Sequence, residues 1–168
     1  VIVRTYNRAR LITRAIESVL RQSFQDFEII VADDGSTDEP ATTVNKLKLA
    51  DNRIGFISQE HAGVPGRPLN LGLQHSRGQY IAILDSDDEW MPSKLEKQIK
   101  LLESASPQTG FVSCYTTVIK PDGTQQEKRP SQCKNSLELA LMRRFPFAFS
   151  SILAKKEAFD HIGPIDEN

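Results

Sequence analysis

The sequence predicts an α/β fold: a Rossmann-like, mostly parallel sheet with helices on both faces, arranged in three layers. Three observations carry that expectation. Short apolar runs of strand length alternate with segments of helical period along most of the chain. Polar clusters follow three of those runs directly, at residues 5–7, 33–36 and 85–88. With 168 residues there is room for one ordinary core, so one domain over 1–168 is expected.

The elements follow in order. "VIVRTYN" opens the chain as a buried strand ending near Thr5. Across residues 11–22, Leu11, Ile12, Ala15, Ile16, Val19 and Leu20 recur at helical spacing. "FEIIVADDGSTD" is a strand over 28–32 followed by a turn, and residues 42–49 form a weaker helix. "RIGFIS" (53–58) alternates like a strand, and "PLNLGLQHS" (68–76) begins a second modest helix. A strand over 79–84 leads into an acidic cluster. Pro92 suits the first turn of a helix whose buried stripe is Leu95, Ile99 and Leu102. Beyond residue 110 the rhythm changes. "GFVSCYTTVIK" (110–120) reads as one longer strand, "PDGT" (121–124) as a turn, and residues 136–144 as a helix. "FAFSSILAKK" (147–156) is a strand running into a short helix.

The bulk numbers exclude several classes. A net charge of −1 gives no reason to expect a nucleic-acid partner or an anionic membrane surface. No apolar run is long enough to span a bilayer, and no signal peptide is visible. Cys114 and Cys133 are isolated and lack metal spacing, which fits reduced thiols in a cytoplasmic protein, membrane-associated only through parts outside this sequence. The sequence begins at Val1, inside a strand, so a piece truncated at both ends is expected.

In an open α/β sheet, ligands bind in the crevice beyond the carboxyl ends of the strands. Parallel strands would bring three clusters to one edge: Thr5, Tyr6 and Asn7; Asp33 and Asp34 with Gly35 and Ser36; and Asp85, Ser86, Asp87 and Asp88. Asp34 can accept hydrogen bonds from a ribose hydroxyl or a base N–H. Asp85, Asp87 and Asp88 offer hard oxygen ligands, which favour Mg²⁺ or Mn²⁺. Mg²⁺ is usually held by one or two carboxylates plus substrate phosphates, so a metal–diphosphate complex suits this cluster better than a closed ion cage.

Plainer readings compete. "DDGSTD" can be a capped turn with a helix start at Asp38. "DSDDEW" can be a solvated loop. It can also be a Ca²⁺ loop with Glu96 at its twelfth position, but the sixth position, where that loop needs Gly, is Trp90. A phospho-acceptor receiver domain places its acidic pair after the first strand, whereas here the pair follows the second. His61, His75 and His161 read as polar loop, helix and surface residues. Trp90 fits packing against the helix of Leu95 at least as well as stacking on a sugar, and Ser150 and Ser151 are candidates on an acceptor-side strand.

Taken in order, "TYN", "LITRAIESVLRQSFQDFEIIVADDGSTD", "GVPGRPLNLGLQHSRGQYIAILDSDDEWMPSKLEKQ" and "FDHIGPIDEN" resemble a family 2 glycosyltransferase of the glycosyltransferase A-type fold, along the whole chain. The resemblance implies an inverting enzyme that moves a sugar from a nucleotide diphosphate donor, a UDP-sugar first of all, to the hydroxyl of a carbohydrate or lipid-linked acceptor, as in cell-envelope polysaccharide synthesis. It further implies that Thr5, Tyr6 and Asn7 line the base pocket and that Asp34, with Asp33, meets the uracil or ribose. Arg67 would reach the base or diphosphate. Asp85-Ser86-Asp87 would be the DXD motif, with Asp87 or Asp88 on Mn²⁺ or Mg²⁺ and Asp85 supporting. The family's catalytic base normally follows the glycine and acidic segment, so it is expected beyond Asn168, with Asp166 and Glu167 the candidates inside the chain.

A donor-binding module without transfer activity is the alternative. A nucleotidyltransferase ranks lower, because "RTYNRARL" lacks a glycine for a phosphate loop after the first strand.

Overall fold

A computed structural model describes residues 1–128 and 148–165. Four apolar runs form the parallel part of a six-stranded sheet: β1 (Ile2–Thr5), β2 (Ile29–Asp33), β3 (Ile54–Ser58) and β4 (Tyr80–Asp85). Their crossovers are α1 (Ala9–Leu20), α2 (Pro40–Ala50) and α3 (Gly66–His75). After β4 come α4 (Lys94–Ser104), β5 (Phe111–Ser113), the hairpin strands β6 (Thr116–Ile119) and β7 (Gln125–Lys128), β8 (Ile152–Lys155) and α5 (Lys156–Ile162).

Strand order is β3-β2-β1-β4-β8-β5, with β8 antiparallel to both of its neighbours. The chain therefore steps outward from β1 to β3 and then returns to the other side of β1. That reversal between β1 and β4 is a topological switch point, where the loops leaving two parallel strands part and open a crevice. Val3 pairs with both Val31 and Leu84 in register, so the three polar clusters emerge side by side.

Side-chain alternation in the strands builds two cores. Val3, Val31 and Leu84 face Ile12, Ile16 and Val19 of α1, with Val44 of α2 and Leu95, Ile99 and Leu102 of α4. Ile2, Ile81 and Ile83 face the other way, onto Leu69 of α3 and Phe159 of α5. Helices thus cover both faces, and each aliphatic side chain so buried contributes roughly 1.5–3 kcal/mol. Gly72 lets α3 approach: a Cβ there would lie 2.5 Å from Ile2 Cγ2.

Differences from the sequence reading are local. The first helix starts at Ala9 and ends at Leu20, leaving Gln22 to use its side chain elsewhere. Pro92 lies ahead of the α4 N-cap, Ser93, where its carbonyl accepts the Ser23 N–H. The single strand expected over 110–120 is two. β5 pairs with β8 only as far as Ile152, because the chain before Ile152 coils into a 3₁₀ turn, Phe149–Ser151, and offers no further ladder. β6 then folds back on β7 through the "PDGT" turn, with Gly123 at φ 80°. The helix expected over 136–144 lies outside the described residues, as do Cys133, Asp166 and Glu167. Among the described residues no helix is long and apolar enough to cross a membrane.

Candidate functional site

The ladders continue past the strand ends: Asp34 N–H donates to Thr5 O at 3.0 Å and Ser86 N–H to Arg4 O at 3.1 Å. Thr5, Asp34 and Ser86 are held abreast by these bonds. Thr5 Oγ1 is buried and has no hydrogen-bond partner among the described residues.

Around β2 the carboxylates are satisfied by hydroxyls, an amide, backbone N–H groups and one imidazole. Asp33 accepts Ser36 N–H (3.1 Å), the Ser36 hydroxyl and the Ser58 hydroxyl (2.8 Å), which closes the 33–36 turn. Asp34, 5% exposed, accepts Gln59 Nε2 at 2.8 Å, Gly63 N–H at 3.1 Å and, more loosely, Ala62 N–H at 3.3 Å, and its Oδ2 lies 2.8 Å from His61 Nδ1. Burial pushes the Asp34 carboxyl up, but the bonds from Gln59, Gly63, Ala62 and His61 outweigh it and hold the group below the usual carboxylate range. The contact is close: a Cβ on Gly35, at φ 73°, would lie 2.6 Å from His61 N. His61 in turn stacks on Tyr6, with ring centroids 4.0 Å apart and planes within 6°. Asn7, at φ 50°, ties the two turns together by accepting Thr37 N–H at 2.8 Å and donating its N–H to Ser36 Oγ.

Around β4 the carboxylates meet cations instead. Asp85 pairs with Arg4, whose guanidinium also lies 4.2 Å above the Phe149 ring and donates to Pro65 O at 3.2 Å. Asp87 pairs with Arg8, and Glu89 with Arg14 at 2.9 Å and Arg21 at 3.8 Å. Asp88 has no cationic partner among the described residues; its Oδ2 accepts the Ser150 hydroxyl at 2.6 Å. Burial, assisted by the Asp85 and Asp87 charges, raises its pKa against the Ser150 bond and the charge of Arg14.

Ser150 also accepts Asp85 N–H at 3.0 Å, so one hydroxyl fixes both ends of the turn. Behind it, Trp90 Nε1 donates to Ser150 O at 2.8 Å and Gln98 Nε2 to Ser151 O at 2.8 Å. Lys94 Nζ sits 3.9 Å above the Trp90 ring, bound to Gln98 Oε1 at 2.7 Å, and burial lowers its pKa to about 7.

Among the described residues no three His, Cys, Asp or Glu side chains converge as a self-sufficient metal cage. The donor set still fits a hard cation: Asp87 and Asp88 supply two carboxylates, and substrate phosphates would complete the shell. Asp85, committed to Arg4, is the least available of the three.

Residues 1–163 match the family described as Glycosyl transferase family 2. The chain belongs to that family. A glycosyltransferase of Nostoc sp., described as uncharacterized, is 32% identical over 173 residues, covering 99% of this chain and 53% of the relative. An Escherichia coli UDP-Glc:alpha-D-GlcNAc-diphosphoundecaprenol beta-1,3-glucosyltransferase, WfgD, is 37% identical over 102 residues, 61% of this chain and 40% of its own length. The chain thus spans about half the length of the fuller-covered relatives, and less of others. Among solved structures, a Pyrobaculum calidifontis mannosyltransferase, PcManGT, in complex with GDP-Man and Mn²⁺, superposes with a TM-score of 0.75 at 24% identity, covering 99% of this chain and 47% of that one. S. aureus TarS 1–349 in complex with UDP gives 0.66 at 21% identity, covering 99% and 49%. These two likenesses establish the glycosyltransferase A-type fold.

Within this family member the switch point gathers Thr5, Tyr6, Asn7, Asp33, Asp34, Asp85, Ser86, Asp87 and Asp88. Arg67 is exposed on the first turn of α3. Trp90, buried at 6% exposure, packs and donates to Ser150 instead of presenting a stacking face. Two contributors, Arg4 and Arg8, were not singled out from sequence, and His61 was read there only as a polar loop residue. Arg4 had a signal, since a charge inside "VIVRT" must find a partner. His61 had none, because its partners Tyr6 and Asp34 are distant in sequence, and Arg8 likewise reaches Asp87 only across the fold.

Proposed function

We propose that this chain is the donor-binding part of an inverting glycosyltransferase, which moves a sugar from a nucleoside diphosphate, UDP in the first instance, to an acceptor hydroxyl. The observation that carries this is the meeting at one switch point of an aromatic, hydrogen-bonding corner (Tyr6, His61, Asp34) with an acidic turn holding one carboxylate, Asp88, that has no cationic partner among the described residues. The nucleoside end of the donor belongs to the first and the diphosphate end to the second. Thr5 Oγ1, without a hydrogen-bond partner among the described residues, stands at the end of β1 between the two turns. Asp34 acts chiefly by holding loop 59–63, and with it the His61 ring, in place.

Asp87 and Asp88 would hold Mn²⁺ or Mg²⁺, which when bound supplies positive charge for the departing diphosphate. Asp85 supports the turn from its pair with Arg4, and Arg67 adds a guanidinium suited to phosphate oxygens. The acceptor, a carbohydrate or a lipid-linked saccharide, must lose a proton as it attacks, which calls for a carboxylate base. Asp166 and Glu167 are this chain's candidates. Ahead of them in the chain, the Asn70 side chain binds both Ile165 N–H and Ile165 O at 2.9 Å. The names of WfgD and PcManGT, with their nucleotide sugars, support a donor of this class.

A competition assay tests the reading. UDP should displace a fluorescent uridine diphosphate probe in the presence of Mn²⁺, while uridine alone should displace it much more weakly. Equal displacement by both would remove the diphosphate half of the site from the proposal.

A further inference from the structure

Three arginines reach residues 85–88, and they are held very differently. Arg4 is partly buried, its side chain 11% exposed, and is locked by Asp85, Pro65 O and the Phe149 ring. Arg14 reaches past the carboxylates to the Asp87 carbonyl at 2.9 Å and to Glu89. Arg8 rests on a carboxylate oxygen, Asp87 Oδ2, with both side chains nearly half exposed at 45% and 44%. Exposed pairs of this kind contribute little to stability. Yet a guanidinium there occupies lone pairs that a divalent cation needs and repels that cation.

The root of Arg8 is tied into the fold at several points, while its head is held by the exposed pair with Asp87. Asn7 before it is tied to Ser36 and Thr37, and Ala9 after it donates its N–H to Asp38 Oδ2 at 2.8 Å. Its own carbonyl accepts Leu11 and Ile12 N–H at 2.9 and 3.1 Å, starting α1. A head released from Asp87 therefore stays within one side-chain length of the acidic turn. Whatever anion binds there lies in its reach, and five N–H donors in a planar fork suit phosphate oxygens.

We infer that Arg8 is a resident counter-ion. It covers Asp87 until a divalent cation takes that carboxylate, and the released guanidinium then grips the donor's diphosphate. The inference rests on the reading of Asp87 as a metal ligand. It predicts effects of opposite sign from one substitution, which a merely structural residue would not give.

The test uses Mn²⁺ alone, followed by electron paramagnetic resonance of the free ion, and then UDP with saturating Mn²⁺ by calorimetry. Arg8→Gln should bind Mn²⁺ about two- to fivefold more tightly, the scale of an exposed ion pair. The same variant should bind UDP with Mn²⁺ about tenfold more weakly. Arg8→Lys should restore the competition with Mn²⁺ and part of the UDP affinity. Asp87→Asn approaches from the other side: it frees the guanidinium without metal, so metal-free UDP binding should tighten while the Mn²⁺ response falls. Arg8→Gln weakening both ligands, or changing neither, would overturn the inference while leaving the donor site standing. Wild type that binds neither Mn²⁺ nor UDP would overturn the donor-site reading and this inference together.

Discussion

Two aspartate-rich turns flank β1 on the same sheet edge, residues 33–36 after β2 and residues 85–88 after β4. In the first, Asp33 and Asp34 are saturated by hydroxyls, amides, backbone N–H groups and one imidazole. In the second, Asp85 and Asp87 lean on guanidinium groups and Asp88 on a single hydroxyl. A carboxylate whose lone pairs are taken by the hydrogen-bond donors of a loop keeps its charge and builds that loop around itself. One paired with an exposed arginine is a single exchange away from another cation. On the proposed reading, similar composition serves construction on one side of β1 and exchange on the other.

The largest effect expected from breaking this contrast is in the second turn. Replacing Asp87 and Asp88 together by Asn should abolish the Mn²⁺-dependent part of UDP affinity, read by calorimetry with and without metal. Thermal stability of the metal-free protein should be unchanged or slightly raised, since the substitution removes like-charge repulsion and only one exposed ion pair. A marked drop in melting temperature would instead make the turn a structural one.

Lys94 lies under that same turn, and its effect is read in pH. Burial lowers its pKa to about 7, against 10.5 for an open lysine. Between those values the unfolded chain binds the extra proton, so stability rises with pH across that window and levels off below it. At about 1.4 kcal/mol per pH unit for one proton, the rise from pH 7 to pH 9 is about 2 kcal/mol. Lys94→Met should remove that slope and be the more stable protein at pH 7 in denaturant melts. Parallel pH profiles for the two proteins would show that the ammonium stays charged in the fold.

In the first turn, Asp34→Ala should lower stability by about 1–3 kcal/mol, because it strands the donors of Gln59, His61, Ala62 and Gly63. UDP should weaken by a similar amount, with its response to Mn²⁺ intact. His61→Ala sharpens the contrast. It removes the ring stacked on Tyr6 but leaves Asp34 its other donors, so UDP affinity should fall with a smaller loss of stability. Unchanged UDP affinity in a folded Asp34→Ala protein would remove this turn from the donor site.

Much of this architecture was legible because it is local. Alternation of apolar runs located β1 to β4 and their helices to within a few residues, and strand order then brought the polar clusters together. Residues 110–120 misled because whether β5 continues depends on β8, and β8 begins only at Ile152, where the preceding chain has coiled into a turn. The division of labour between the acidic turns was hidden for the same kind of reason. Asp34 finds its donors in residues 59–63, and Asp88 finds its hydroxyl in Ser150. Aspartate alone in a sequence does not say whether an amide or an arginine will answer it.

The central claim is that the turn after β4 holds a metal–diphosphate complex while the turn after β2 shapes the nucleoside end. Calorimetric titration of UDP into the wild-type protein, with Mn²⁺ and with chelator, tests it most directly. Saturable binding of one UDP per chain is expected, weakening at least tenfold when the metal is removed, the least expected of a displaced charge-assisted contact. UDP affinity that is identical with and without metal would contradict it.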